Sequence, residues 1–253
     1  MPTTNPPLNV AALAKLCANT LSVVTPALAS RALSLPLSAA KNELQAASKA
    51  GLFRAAFHPT TRAILYQPTP RASGVSATIA PRALRSNAPP SALLRGLLRG
   101  QVILQSATGK WLSWREADEF CIANGIAIRG YAPALFARQE DGFLHIFETT
   151  LNTEQPDALI FRVMKRWLPL ADSRINFNVS FIAQDTHGEL QHALNEMFPA
   201  AEAEVELRKI EAQIATDPST RITLTARKLK LEEAISASFL LPWLNTNVNK
   251  VGA

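Results

Sequence analysis

Ala39, Lys41, Asn42, Gln45 and Lys49 recur at helical spacing in the stretch LSAAKNELQAASKAG, with Ser38 just ahead of them as a further candidate contact. On a helix they share one face, opposite the apolar stripe of Ala40, Leu44 and Ala47. Carboxamides such as those of Asn42 and Gln45 form paired hydrogen bonds to an adenine edge in a major groove, and lysine reaches guanine or phosphate. The small residues Ala39 and Ala46 allow close approach. Arg54, His58, Thr60 and Arg62 follow in a segment that reads as strand, turn and strand, where positive charge can meet phosphates or a minor groove. This is chemistry of recognition rather than of bond making. The competing reading is a solvated polar face beside a short surface hairpin.

Charge distribution favours a polyanionic partner. Residues 1–100 hold eleven Lys and Arg against one acid, Glu43, a balance of +10. Residues 101–253 hold fifteen against nineteen acids, a balance of −4, and the two sum to the chain's +6. A basic half joined to an acidic half is expected if one half meets nucleic acid. A membrane surface or an acidic protein fits the charge alone as well. No apolar run has the length of a membrane span, since Lys15, Asn19 and Pro26 interrupt the nearest candidate, residues 11–29. The opening MPTTNPPLN has no basic region followed by an apolar one, so no secretory signal is expected. Cys17 and Cys121 each lie in an apolar helical pattern and read as buried thiols. A reducing cytoplasm is the expected compartment.

The elements that must carry the polar face come next. Leu8–Asn19 is apolar at helical spacing. Thr25 is a good cap for a helix over Pro26–Leu33, and Ser38 for a third over Ala39–Ala50 that stops at Gly51. Two short helices joined by a tight turn make a helix-turn-helix. Strands over 52–57 and 62–66, separated by His58-Pro59-Thr60-Thr61, follow directly. The order over residues 8–70 resembles winged helix-turn-helix domains, with LSAAKNELQAASKAGLFRAAFHPTTRAILYQPT similar to their third helix and wing. The resemblance implies binding to double-stranded DNA. Winged helices also serve as protein-interaction adaptors.

Residues 71–99 are rich in Pro, Ala, Ser and Gly and carry Arg71, Arg82, Arg85, Arg95 and Arg99 with no acid. They read as a basic linker, either tracking a DNA backbone or acting as a solubilising tether. A short helix over Ser91–Arg99 is expected to enter the next domain.

Residues 100–245 read as an α/β domain with a mixed sheet. Ser113 and Glu116 form a capping box ahead of a helix over Trp114–Asn124. Strands are expected over 126–131, 134–138 and 143–148, the last two joined by the turn Gln139-Glu140-Asp141-Gly142. A helix over 156–170, a strand over 175–182, helices over 188–198 and 200–215, and a strand over 221–226 follow. Residues 246–253 read as a frayed tail. Trp111, Trp114, Trp167 and Trp243 are expected in the core or at an interface, and the charged 200–215 helix is a candidate dimer face.

This order, with YAPALFARQEDGFLHIFETTLNTEQPDALIFRVMKRW, resembles the restriction-endonuclease-like superfamily, and with the N-terminal module it resembles the replication-relaxation family of plasmid and mobile-element proteins. Such nucleases bind a divalent cation with a Pro-Asp and an acid-x-Lys on neighbouring strands. Here Ala134 follows Pro133 in place of the Asp, and Thr150 stands two residues after Glu148 in place of the Lys. The resemblance therefore implies an α+β protein with a degenerate, non-cleaving nuclease fold. Its expected role is sequence-specific DNA binding in plasmid replication, mobilisation or transcriptional regulation. Expected partners are duplex DNA, a second copy of the chain, and relaxosome or replication proteins. Glu148 is expected to be an isolated surface or edge carboxylate, with His145 on the opposite face of its strand. His58, His145, His187 and His192 lack metal-ligand spacing, and no Gly-rich phosphate loop, Ser elbow or Cys ladder is present, so no metal, cofactor or catalytic residue is expected. The alternatives are a metal-dependent endonuclease and a winged-helix adaptor.

Overall fold

The computed structural model describes residues 8–105, 109–126, 134–151, 155–170, 175, 177–183, 189 and 192–193. The protein mixes helices and sheets and divides into two compact units, Met1–Ala107 and Thr108–Ala253.

The first unit begins with α1 (Val10–Thr20), capped by the Asn9 side chain, which accepts from Ala12 N at 2.7 Å. Its inner face buries Leu13, Ala14, Cys17 and Ala18. Helix α2 (Pro26–Ala32) opens as expected. Thr25 Oγ1 accepts from Leu28 N, and Pro26 occupies the first turn, where its missing N–H leaves no bond unmade. Helix α3 (Leu37–Lys49) starts ahead of the expected Ser38 cap. Pro36 holds the cap position without a side-chain bond, and Ser38 is exposed in the first turn. The chain turns through Ser34, at φ +53°, and Leu35 N donates to Ser30 O. Proline's fixed φ then leads it into the helix. Ala40, Leu44 and Ala47 are buried as the spacing predicts. Gly51 ends the helix at φ +75°, and Leu52 N returns to Ala47 O.

Strands β1 (Phe53–Phe57) and β2 (Ile64–Pro68) form an antiparallel hairpin in which Phe57 faces Ile64. The second strand lies two residues later than its pattern suggests, because Arg62 takes a left-handed conformation (φ +59°) and belongs to the turn. Val24, between α1 and α2, pairs with Tyr66 through bonds in both directions, 3.1 and 2.8 Å long.

The expected linker is folded structure. Short 3₁₀ turns at Pro70–Ser73 and Arg82–Leu84 lead to α4 (Pro90–Gln105), and Val75, Ala80, Leu84, Leu98, Arg99, Val102 and Ile103 are buried. The contact that admits α4 is glycine-specific. Val23 N donates to Gly96 O at 2.8 Å. A Cβ on Gly96 would lie 2.7 Å from Val23 Cγ2, and one on Gly100 would overlap the Val23 carbonyl oxygen. Two glycines four residues apart let helix and backbone touch.

The second unit holds a sheet in the order β3 (Lys110–Trp111), β4 (Ala134–Arg138), β5 (Leu144–Thr150) and β6 (Phe177–Ala183). The first three pair antiparallel, while β6 runs parallel to β5 after a crossover through α6 (Pro156–Trp167). It is therefore a mixed sheet, as expected. The capping box is present at α5 (Trp114–Ala123), where Ser113 N donates to Glu116 Oε2 at 2.7 Å and Glu116 N to Ser113 Oγ at 3.3 Å. Ala117 and Cys121 of α5 and Leu159, Ile160, Val163 and Trp167 of α6 share one core with Phe136, Ile146, Val179 and Phe181 of the sheet. The expected strand over 126–131 lies outside the described residues beyond Ile126. So do most of the 188–198 helix and all of residues 194–253, including Trp243.

Gly100→Ala is expected to destabilise the first unit by about 1–3 kcal/mol, the usual range for forced overpacking. Urea unfolding monitored by circular dichroism checks this. A midpoint equal to the parent's would mean that α4 does not pack on Val23.

Candidate nucleic-acid interface

Helix α3 presents Ser38, Lys41, Asn42, Gln45 and Lys49 outward, all exposed. The i, i+3, i+4, i+7 and i+11 spacing puts them on one stripe, because the opposite stripe is anchored by Ala40 and Leu44, both 0% exposed. Ala46 is exposed among them and Ala39 is half-buried. Neither adds bulk, so a partner can approach the helix backbone closely. Glu43, also exposed, is the only acid of residues 1–100.

The hairpin divides its residues differently from the sequence expectation. Thr60 and Arg62 are exposed in the turn. Arg54 is not a free surface cation. Its Nε donates to Gln67 Oε1 at 3.0 Å and its Nη2 donates to the carbonyl of Leu84. Gln67 in turn donates to Ala83 O at 2.5 Å. The guanidinium thus fastens the hairpin to the Arg82–Leu84 turn, and partial burial lowers its pKa. The signal missed in the sequence was alternation. Arg54 falls on the same hairpin face as Leu65 and Gln67, which are buried. His58 is also structural. Its Nδ1 accepts from Thr60 N at 3.2 Å and Thr61 N at 3.1 Å, which fixes the turn. Burial lowers its pKa below the ordinary 6.5, favouring the neutral ring that can accept.

Among the linker arginines, Arg71, Arg82, Arg85 and Arg95 are exposed. Arg85 donates to Ala80 O and Thr78 O, and Arg99 is 4% exposed. Arg99 therefore cannot track a DNA backbone. Arg71 lies against the end of α3, its Nη1 3.4 Å from where a Cβ on Gly51 would sit, a place where positive charge complements the helix dipole. Phe57 and Ile64, whose exposure has no mark in the sequence, are 58% and 48% exposed at the free end of the hairpin.

In the second unit Glu148 corrects an expectation. It is neither isolated nor at the surface. It is 4% exposed on β5, between β4 and β6, and its Oε1 accepts from Arg166 Nη1 at 2.6 Å and Trp167 Nε1 at 2.8 Å. Its cross-strand partner is Ala134, so the neighbouring position that would offer a second carboxylate offers a methyl group. Burial, with Asp118 and Glu148 nearby, pushes the Cys121 thiol up to about 12. His145 projects from the other face, hydrogen-bonded to Gln139 and stacked on Phe147. Among the described residues no group of three or more His, Cys, Asp or Glu side chains could hold a metal ion. Cys17 and Cys121 are free and buried.

Compared with protein-family models, curated proteins and solved structures, the chain gives no match. No described helix is long and apolar enough to cross a membrane.

Two substitutions separate structural roles from surface ones. Arg54→Ala should lower stability by about 1.5–3 kcal/mol, because Gln67 and the Leu84 carbonyl lose a charged partner. Arg62→Ala should change stability by less than about 0.5 kcal/mol. Denaturant midpoints check both, and equal midpoints would contradict the inward role of Arg54. In the second unit, Glu148→Ala should cost about 1.5–3 kcal/mol by stranding Arg166 and the Trp167 indole. A Trp fluorescence melt with no shift would show that the carboxylate holds neither group.

Proposed function

We propose that the first unit is a winged helix-turn-helix that binds double-stranded DNA, with α3 in the major groove and the hairpin as its wing. The single observation that carries this reading is the outward stripe of Ser38, Lys41, Asn42, Gln45 and Lys49 on a helix whose opposite stripe is anchored in the core. Exposed carboxamides on a rigid helix suit base edges, which present paired donors and acceptors. The lysines and Arg62 suit phosphates. The +10 balance of residues 1–100 supplies long-range attraction.

The second unit, on this proposal, is a scaffold that keeps a nuclease-like layout without cutting DNA. Glu148 is committed to Arg166 and Trp167, and Ala134 stands beside it. A metal-dependent phosphodiesterase needs several oxygens converging on the cation and a group to orient the nucleophile. The biological setting proposed is replication, mobilisation or transcriptional control in a plasmid or mobile element.

Selection of bound sequences from random duplex DNA tests the reading. A defined site should emerge, and Asn42→Ala or Gln45→Ala should each lose about 1–3 kcal/mol of discrimination at one or two base pairs. Selection without enrichment, or variants that keep the parent's full discrimination, would contradict it.

A further inference from the structure

The face of the hairpin that enters the core does not end where the core ends. Phe53, Ala55 and Phe57 alternate along β1 onto one face, and their cross-strand partners Pro68, Tyr66 and Ile64 share it. At the base this face is interior. Phe53 is 1% and Tyr66 5% exposed, and their rings meet edge to face at 6.4 Å. At the free end the same face carries Phe57 and Ile64, directly opposite each other and both exposed. An aromatic and a branched aliphatic side chain therefore stand together on the last rung of the ladder, next to the 58–63 turn, with no core of their own.

The turn beyond this rung is also braced by hydrogen bonds. His58 N donates to Ala63 O at 2.8 Å, Arg62 N donates to His58 O at 3.0 Å, and the His58 ring accepts from Thr60 and Thr61. The exposed turn residues are Thr60, Thr61 and Arg62. No acid occurs in sequence between Glu43 and Glu116, so the hairpin and its flanks carry one sign of charge.

We propose that Phe57 and Ile64 form a wedge that enters the minor groove of duplex DNA and opens a base step, with Arg62 holding the adjoining backbone. The proposal rests on the DNA-binding reading and adds deformation of the duplex to it. A narrow, stiff apolar pair flanked by a cation matches the demands of a minor-groove wedge, which partly unstacks one step and bends the helix. A membrane would accept the same apolar pair and the same charge. It has no use, however, for the carboxamides of Asn42 and Gln45 that the same unit exposes, and duplex DNA has.

The test uses the full chain and a short duplex carrying a selected site, with 2-aminopurine at successive positions and a donor–acceptor dye pair at its ends. Binding should raise 2-aminopurine fluorescence at one step and bring the ends closer, by a bend of about 20–90°. Phe57→Ser/Ile64→Ser should still bind, keep the parent's melting temperature, and lose both signals. Arg62→Ala should weaken binding while retaining the bend. Binding by the parent with neither signal would overturn the wedge and leave the DNA-binding reading intact. Failure to bind any duplex would overturn both. Loss of binding to anionic phosphatidylserine vesicles in the Phe57/Ile64 variant, with the duplex signals unchanged, would assign the tip to a membrane and overturn the wedge.

Discussion

The first unit depends on the backbone of Ser22, Val23 and Val24. Each residue of this short run bonds to a different element. Ser22 N closes α1 onto Cys17 O, Val23 N meets Gly96 O of α4, and Val24 exchanges bonds with Tyr66 of the hairpin. The side chains of all three are buried, so each backbone group had to find an internal partner or leave a costly unmade bond. The run thereby ties the helices, the hairpin and α4 into one body. The outward direction of α3 follows from it, because Ala40, Leu44 and Ala47 have a fixed core to pack against.

That body explains why charge and shape act together. An extended linker bearing five arginines would spread its charge over many conformations. In the folded unit, Arg99 is buried, Arg85 is tied at the surface to the Ala80 carbonyl, Arg71 closes on the end of α3, and Arg82 and Arg95 stand at the surface. Arg54 fastens the hairpin instead of reaching outward. Four of the five linker arginines still face solvent, and they project from folded backbone rather than from an extended tether. In the second unit the same kind of internal pairing removes Glu148 from solution chemistry.

The periodic parts were readable from the residues alone. The inner stripe of α3, the Thr25 cap with Pro26, the Ser113–Glu116 capping box and the β4–β5 hairpin all follow local rules of spacing and capping. What sequence missed depended on contacts distant along the chain. Gly96 and Gly100 carry no sign of a close contact until Val23 is laid against them. Arg54 looks like a wing cation until the Leu84 carbonyl and Gln67 turn towards it. Glu148 looks like a leftover carboxylate until α6 brings Arg166 and Trp167 above β5. The exposed α3 stripe was readable for the opposite reason, since a helix with one buried face leaves no choice about the other. Phe57 and Ile64 were invisible because period-two alternation marks a face without saying where its cover stops.

On the proposed reading, the first unit presents the outer face of α3 to duplex DNA. Amide hydrogen exchange, followed residue by residue with and without a selected duplex, tests it most directly. Added protection is expected over Leu37–Lys49 and the hairpin turn, with the Ser22–Val24 run already protected in the free protein. Protection confined to the Thr108–Ala253 unit, with α3 exchanging as before, would contradict it.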